Sequence, residues 1–284
     1  MDGTVGGGGH AAAWLAASSP SGRLFGCDRD GDAIEAAGVR LAEFAGRFEL
    51  RRGNFADLAQ WLPAGSCEAV LLDLGVSSHQ LDEAERGFSF LQDGPLDMRQ
   101  DQRDVGTAAD LIQSVPGEEL ARIFWELGEE PQARRIARAM ERQRQVEPFT
   151  RTRQLADFVE RVCPRRGARR HPATRVFQAL RMAVNHEMKS LRAGLAGAQT
   201  ILKPSGRLAV ITFHSLEDRM VKNFGNERSR GYTFEGERDV PELRRMCPPE
   251  LRWVRRKALQ PDAAEVATNV RSRSAHLRVL EKVG

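Results

Sequence analysis

The chain is short of the features that mark secreted, metal-binding and membrane-spanning proteins. It has only four cysteines, and none forms a Cys-x-x-Cys pair, which argues against a zinc site. They lie far apart in the sequence: Cys27, Cys67, Cys163 and Cys247. No apolar run approaches the roughly 18 residues of a transmembrane helix, and no charged-then-apolar signal peptide opens the chain. These absences predict a cytoplasmic protein with reduced thiols and no membrane partner.

Charge is plentiful but almost balanced, at +4 for 284 residues. Arginine supplies nearly all of the positive charge, and guanidinium groups suit the geometry of phosphate. The hydrophobic fraction of 41% is enough for a core. The composition therefore predicts one large domain, or one domain inserted into another, and it permits a polyanionic partner.

Strand and helix signals alternate in the first quarter of the chain. The expected elements are a helix from Ala11 to Ala17, a strand at Arg23–Cys27, a helix at Asp30–Ala45, and strands at Phe48–Arg51 and Ala69–Leu72. This alternation predicts a parallel sheet with helices on its faces.

The pattern changes between residues 105 and 172, where helical segments follow one another without a strand. They are Gly117–Leu127, Pro131–Gln143 and Thr152–Val162. A single helix at Ala173–Leu202 and strands at Arg207–Phe213 and Ser274–Leu280 are expected afterwards. We therefore predict an α/β core, residues 1–104 and 173–284, interrupted by a helical insertion, residues 105–172.

A glycine-rich run, Asp2–His10, stands directly before the first predicted helix. Glycines let the backbone approach a ligand, although many such turns bind nothing. Asp28 ends the next predicted strand, where nucleotide-binding α/β folds place an acid that binds the ribose diol. The contiguous glycines and Asp2, which attracts ammonium and repels phosphate, favour S-adenosylmethionine over a dinucleotide. Asp73 ends a strand at the edge where ligands bind, or is simply a solvated strand-end aspartate.

Five long motifs occur in order along the chain. They are Asp2–His10, Leu72–Asp82, Glu85–Phe90 with Asp93–Arg99, His171–Arg175 with Phe177–Arg181, and Phe213–Arg219. Together they resemble the bacterial 16S ribosomal RNA cytosine-N4 methyltransferases, the MraW or RsmH family, over essentially the whole chain. The resemblance implies a class I S-adenosylmethionine-dependent methyltransferase core, Rossmann-like, with an inserted helical domain. It also implies N4-methylation of a specific cytosine in the decoding region of 16S ribosomal RNA, in the small ribosomal subunit.

The resemblance places cofactor contacts on particular residues of this chain. They are Gly8, Gly9, His10, Asp28, Phe55, Asp73 and Gln80. Asp28 would accept hydrogen bonds from the ribose hydroxyls and Phe55 would flank the adenine. Members of the family carry the first strand of the sheet ahead of the glycine loop, so that strand is expected to be missing here. The chain is consequently expected to fold poorly on its own.

The exocyclic amine of cytosine is a poor nucleophile, so methyl transfer needs acceptors that hold its hydrogens and aim the nitrogen. Candidates lie in loops after strand ends: Asp73, Ser77, Ser78, Asp97 and His214. Asp97 and His214 are the preferred catalytic residues. The alternatives are a loop aspartate paired to Arg99 or Arg86, and a structural histidine.

Arginine is concentrated between Arg134 and Arg175, with thirteen arginines against four carboxylates. The segment Arg138–Arg144 is interpreted as a solvated helix face with i to i+4 ion pairs. A denser cluster is predicted to meet RNA phosphates: Arg165, Arg166, Arg169 and Arg170.

Three other functions stay open at this point. They are a methyltransferase of the same fold acting on another amine substrate, a catalytically silent RNA-binding assembly factor, and a nicotinamide oxidoreductase. The last is disfavoured by the contiguous glycines. The protein is expected to be a monomer or a homodimer.

Overall fold

A computed structural model describes residues 1–164, 167, 170–234 and 239–284. Its strands are β1 (Leu24–Asp28), β2 (Phe48–Arg52), β3 (Cys67–Asp73), β4 (Leu202–Thr212), β5 (Tyr232–Phe234), β6 (Arg244–Met246), β7 (Leu251–Trp253) and β8 (His276–Lys282). Its helices are α1 (Gly9–Ala17), α2 (Gly31–Arg40), α3 (Leu58–Trp61), α4 (Ser78–Asp82), α5 (Ala108–Ser114), α6 (Gly117–Glu126), α7 (Ala133–Gln143), α8 (Thr152–Val162), α9 (Ala173–Val184), α10 (Glu187–Ile201), α11 (Ser215–Arg228) and α12 (Ala263–Thr268). The alternation predicted for the first quarter is confirmed.

The described chain divides into two compact units. Unit 1 comprises Met1–Gly75 and Lys189–Gly284, and unit 2 comprises Val76–Met188. Among the described residues, none of the helices has both the length and the apolar character that a membrane crossing would require.

Unit 1 is built on an open sheet. β1 pairs with β2 and β3 pairs with β4, both in parallel, whereas β8 runs antiparallel to β4 and β7. Asp2 forms parallel bridges to Gly26 of β1 and Leu71 of β3, which gives the order β2-β1-Asp2-β3-β4-β8-β7. Residues 70–72 of β3 are buried in succession, as expected of a strand covered on both faces. The predicted Rossmann-like α/β class is confirmed.

Met1–Gly3 occupies the place between β1 and β3 where the sequence predicts a missing strand. On one side the Asp2 N–H donates to Phe25 O and the Cys27 N–H donates to Asp2 O, both at 2.9 Å. On the other side the Gly3 N–H donates to Leu71 O, and the Leu71 N–H donates to Met1 O, also at 2.9 Å. Residues 1–8 do not form a regular strand, yet Met1–Gly3 has backbone hydrogen-bond partners on both sides. Poor folding of the chain stays a prediction.

Unit 2 is helical and has its own apolar core. Leu120, Phe124 and Met140 of α6 and α7 lie in that core. The unit is wider than the predicted insertion, residues 105–172, because flanking segments share the same core. Met98 ahead of the insertion and Leu180 after it are both completely buried there.

The single helix predicted over Ala173–Leu202 is wrong, because α9 and α10 are separated at Asn185 and His186. His186 has φ +49°, a left-handed conformation that cannot continue a right-handed helix. The buried Asn185 amide donates to Met98 O at 2.7 Å and accepts from the Gln100 N–H at 2.7 Å. These bonds to a distant loop hold the chain where α9 ends.

Candidate functional site

The glycine loop turns sharply before α1. Gly6 has φ +49° and Gly8 has φ +78°, and Gly8 is the N-cap of α1. A side chain at Gly8 would place its Cβ 3.2 Å from the backbone of Ala37, whereas one at Gly7 would meet nothing within 4 Å. Gly8 is therefore required by the left-handed turn and by the packing of α2, and Gly7 faces open space.

Asp28 at the end of β1 holds this loop in place. Its carboxylate accepts from the Gly6 N–H at 2.9 Å and from the Asp30 N–H at 3.0 Å. Burial raises the pKa of Asp28, and the two backbone hydrogen bonds act in the opposite direction. Since each carboxylate oxygen has two lone pairs, Asp28 can still accept from the hydroxyls of a ligand.

Asp73 at the end of β3 lies beside the first turn of α1. Its Oδ2 is 3.7 Å from Nδ1 of His10, which is half-exposed. Its Oδ1 is buried and has no hydrogen-bond partner among the described residues. Burial raises the pKa of Asp73 to about 6; His10 lowers it and Glu217 raises it. A buried carboxylate oxygen without a partner is costly, so it marks a position where a ligand can bind.

Asp2 is a second buried carboxylate with an unused oxygen. Oδ1 accepts from the Thr4 N–H at 3.1 Å, and Oδ2 has no partner among the described residues. Burial raises the pKa of Asp2 to about 6. The Thr4 hydroxyl in turn accepts from the Asp73 N–H at 2.6 Å. Asp2, Thr4 and Asp73 thus belong to one connected site; the sequence analysis offered Asp2 as an acid that attracts ammonium, without these contacts.

Phe55 follows β2 and packs against α10. A Cβ at Gly194 would lie 2.3 Å from the Phe55 ring, and one at Gly3 would lie 3.2 Å from the Phe55 Cβ. The neighbouring Asn54 donates to the Ser190 hydroxyl of α10 at 2.9 Å. Two close glycines and this hydrogen bond fix the position of the aromatic ring within unit 1.

Gln80, a predicted cofactor contact, belongs to unit 2. Its side-chain oxygen accepts from the Ser77 N–H at 3.1 Å, and its own N–H donates to the Ser77 hydroxyl at 3.1 Å. This reciprocal capping box starts α4 and buries Gln80. The structure therefore gives Gln80 a structural task, which the motif alone did not indicate.

Asp97, a predicted catalytic residue in unit 2, is paired with Arg99. Oδ1 accepts from Nε of Arg99 and Oδ2 accepts from Nη2, both at 2.7 Å. The Arg99 N–H donates to Oδ1 as well, at 3.0 Å. The hydrogen bonds that Arg99 donates to Asp97 raise the pKa of Arg99 above its already high usual value. The arrangement is the loop pair that the sequence offered as the alternative to catalysis.

His214 caps the start of α11. Its Nδ1 accepts from the Glu217 N–H at 3.4 Å, and its Nε2 lies 3.0 Å from Glu217 Oε1. The other Glu217 oxygen accepts from the Phe213 N–H at 2.9 Å. Glu217 is nearly buried and was not among the predicted residues. Its position three residues after a capping histidine was the signal that could have found it.

The predicted RNA-binding cluster is mostly outside the described residues. Arg165, Arg166 and Arg169 are not described, and Arg170 is exposed. Within unit 1, the structure brings together the glycine loop with His10, Asp28 and Asp73.

Comparison with known proteins identifies the family of the chain. The model of the MraW methylase family matches residues 1–283. The chain is 51% identical over 288 residues to the ribosomal RNA small subunit methyltransferase H of Syntrophotalea carbinolica, covering 100% of this chain and 91% of that protein. It is 49% identical over 289 residues to the protein of the same name from Geobacter sulfurreducens, covering 100% and 92%. The chain therefore belongs to the MraW methylase family.

Proposed function

We propose that this protein transfers a methyl group from S-adenosylmethionine to the exocyclic N4 amine of a cytosine in the decoding region of 16S ribosomal RNA. Its partner is then the small ribosomal subunit, and its place of action is the cytoplasm. The observation that carries the proposal is a pair of buried carboxylate oxygens beside the glycine loop, Oδ2 of Asp2 and Oδ1 of Asp73, for which the described part of the chain provides no partner. Relatives of about the same length, named as small-subunit ribosomal RNA methyltransferases, support the choice of RNA.

The charges of the site fit this cofactor better than a dinucleotide. S-adenosylmethionine carries an ammonium and a sulfonium, and the free oxygens of Asp2 and Asp73 can accept from or attract these cations. A pyrophosphate would face the same two carboxylates and be repelled. Asp28 would hold the ribose hydroxyls, and Phe55 would flank the adenine. When bound, the cofactor supplies an electrophilic methyl group; the residues of the chain bind and orient it.

The residues proposed to act on the base are Asp97 and His214. Each is already held by a neighbour: Asp97 by Arg99, and His214 by Glu217. Groups held in this way are suited to positioning an amine, since their oxygen or nitrogen atoms are fixed before the substrate arrives. The pairing also agrees with a purely structural task, so variants must separate the two.

A labelled methyl-transfer assay tests the proposed function. Small subunits from cells that lack the enzyme are incubated with methyl-labelled cofactor, and the modified nucleotide is mapped. We expect one labelled cytosine with the wild type, and loss of turnover at unchanged cofactor affinity with Asp97→Asn and His214→Ala. Label on another amine would assign a different substrate, and cofactor binding without transfer would indicate a silent RNA-binding protein. Full turnover in both variants would remove their assignment.

Cofactor affinity should depend on pH through Asp2 and Asp73. The pKa of each is raised to about 6 in the folded chain, above the ordinary value near 3.8. At low pH both carboxyl groups are protonated, which stabilises the empty folded chain relative to the unfolded chain. This stabilisation is lost as the pH rises through about 6. A cationic ligand favours the ionised forms instead. We expect the affinity for S-adenosylmethionine to fall as the pH drops from about 7 to 5.

Calorimetry in two buffers of different ionisation enthalpy provides the measurement. Near pH 6 the wild type should release protons on binding, and Asp73→Asn should release fewer. An affinity that is flat over this range, with no proton release, would show that these carboxylates do not face the cofactor.

A further inference from the structure

The outer faces of α6 and α7 enclose a groove of about 1170 Å³ in unit 2. Trp125 of α6 lines it, and 63% of this residue is exposed. From α7, Arg134, Arg138 and Arg142 line it. These arginines are four residues apart, so they form one stripe along the helix. Arg170 is not among the described residues that line the groove.

The arginines that line the groove outnumber the two acids that line it, Glu118 and Glu141. Arg134, Arg138 and Arg142 are exposed and make no ion pair or hydrogen bond with the described residues. The nearest acid along the helix, Glu141, accepts from the Gly117 N–H at 2.8 Å. The i to i+4 ion pairs expected for Arg138–Arg144 are therefore wrong for this face of α7.

This distribution of charge costs α7 stability when nothing is bound. Like charges spaced four residues apart repel each other along a helix. Arg134 and Arg135 also lie in the first turn, which has no acidic residue, and cations are unfavourable near a helix N-terminus. An anion in the groove would relieve both effects.

Two features favour a nucleic acid as that anion over an acidic protein. Guanidinium forks match phosphate oxygens, and successive arginines of the stripe are separated by a rise of about 6 Å, so they can follow a repeating backbone. The exposed indole of Trp125 offers a flat surface on which an unpaired base can stack. We propose that the α6–α7 groove binds a single-stranded segment of the RNA substrate, with phosphates on the arginine stripe and a base on Trp125. This inference depends on the proposed function only for the identity of the RNA.

The test measures the binding of a labelled single-stranded RNA of about 16 nucleotides over a range of salt concentrations. The wild type is compared with a triple variant of the full chain that combines Arg134→Gln, Arg138→Gln and Arg142→Gln. We expect at least a 10-fold loss of affinity at low salt. The slope of log affinity against log salt should fall by about 2, since each phosphate contact to a single strand contributes about 0.7. The triple variant should melt no lower than the wild type, because the repulsion is relieved.

Matched variants separate charge from geometry. A variant with lysine at the same three positions should keep most of the slope of log affinity against log salt. Trp125→Ala should lose about 10-fold in affinity while Trp125→Phe stays close to wild type, since a stacked base contributes roughly this much. Glutamine replacements at Arg165, Arg166, Arg169 and Arg170 report the other proposed contact surface independently.

Wild-type affinity and slope in the glutamine triple would overturn the proposal. So would an equal loss of binding to polyglutamate with no effect of Trp125→Ala, which would assign the groove to an acidic protein. Methyl transfer is scored separately. If the wild type transfers no methyl group but the glutamine triple variant loses RNA affinity, only the proposed function fails. If the wild type methylates RNA and the glutamine triple variant binds RNA normally, only the proposal for the groove fails.

Discussion

Gly87→Ala should lower the free energy of unfolding of unit 2 by about 3 to 4 kcal/mol. Gly87 has φ +72°, and an added Cβ would lie 2.3 Å from Pro95 O and 2.7 Å from the Asp97 backbone nitrogen. Neither contact is with a flexible side chain, so the loop that carries Asp97 must shift. Denaturant unfolding followed by circular dichroism measures the loss, and methyl transfer should fall with it.

Gly106→Ala is the matched control for this effect. Gly106 also has a positive φ, +92°, but an added Cβ would meet nothing within 4 Å. Only backbone strain remains, which costs about 1 kcal/mol. If the two variants lost equal stability, the close approach at Gly87 would not be what holds the loop.

Asp28→Asn should reduce cofactor affinity by about 10- to 100-fold. The change keeps the size of the side chain but replaces one carboxylate oxygen by an amide nitrogen. A hydrogen bond to a charged group is worth about 1.5 to 3 kcal/mol, and the amide cannot accept at both oxygen positions. Asp28 binds Gly6 and Asp30, so the variant weakens the loop as well as the expected ribose contacts. Calorimetric titration with S-adenosylhomocysteine measures the loss.

Glu35→Gln serves as the control, because it makes the same chemical change on the exposed face of α2. The affinity of the Glu35→Gln variant for S-adenosylhomocysteine should equal that of the wild type. An Asp28→Asn affinity within about threefold of wild type, which is less than 1 kcal/mol, would rule out Asp28 as a ribose ligand.

The placement of the glycine loop and of the acids beside it could be predicted because the signals are local. Asp28 and Asp73 end strands, and the glycines precede a helix, so the sequence alone placed them at one edge of a parallel sheet. The local signal for Glu217, its position three residues after the capping His214, is weak because an acid in the first turn of a helix is common. Only the structure shows that its carboxylate contacts the His214 ring and the Phe213 N–H.

The sequence by itself determined the α/β class, the family motifs and the acids at the strand ends, because each depends on residues within one or two elements. Only the tertiary structure decided where α9 ends, since Asn185 is held by the distant Met98 and Gln100. It also decided that Met1–Gly3 pairs between β1 and β3, and that the arginine stripe of α7 has no acidic partner among the described residues. Such features depend on contacts between segments far apart in the chain, which local patterns of hydrophobicity and charge do not specify.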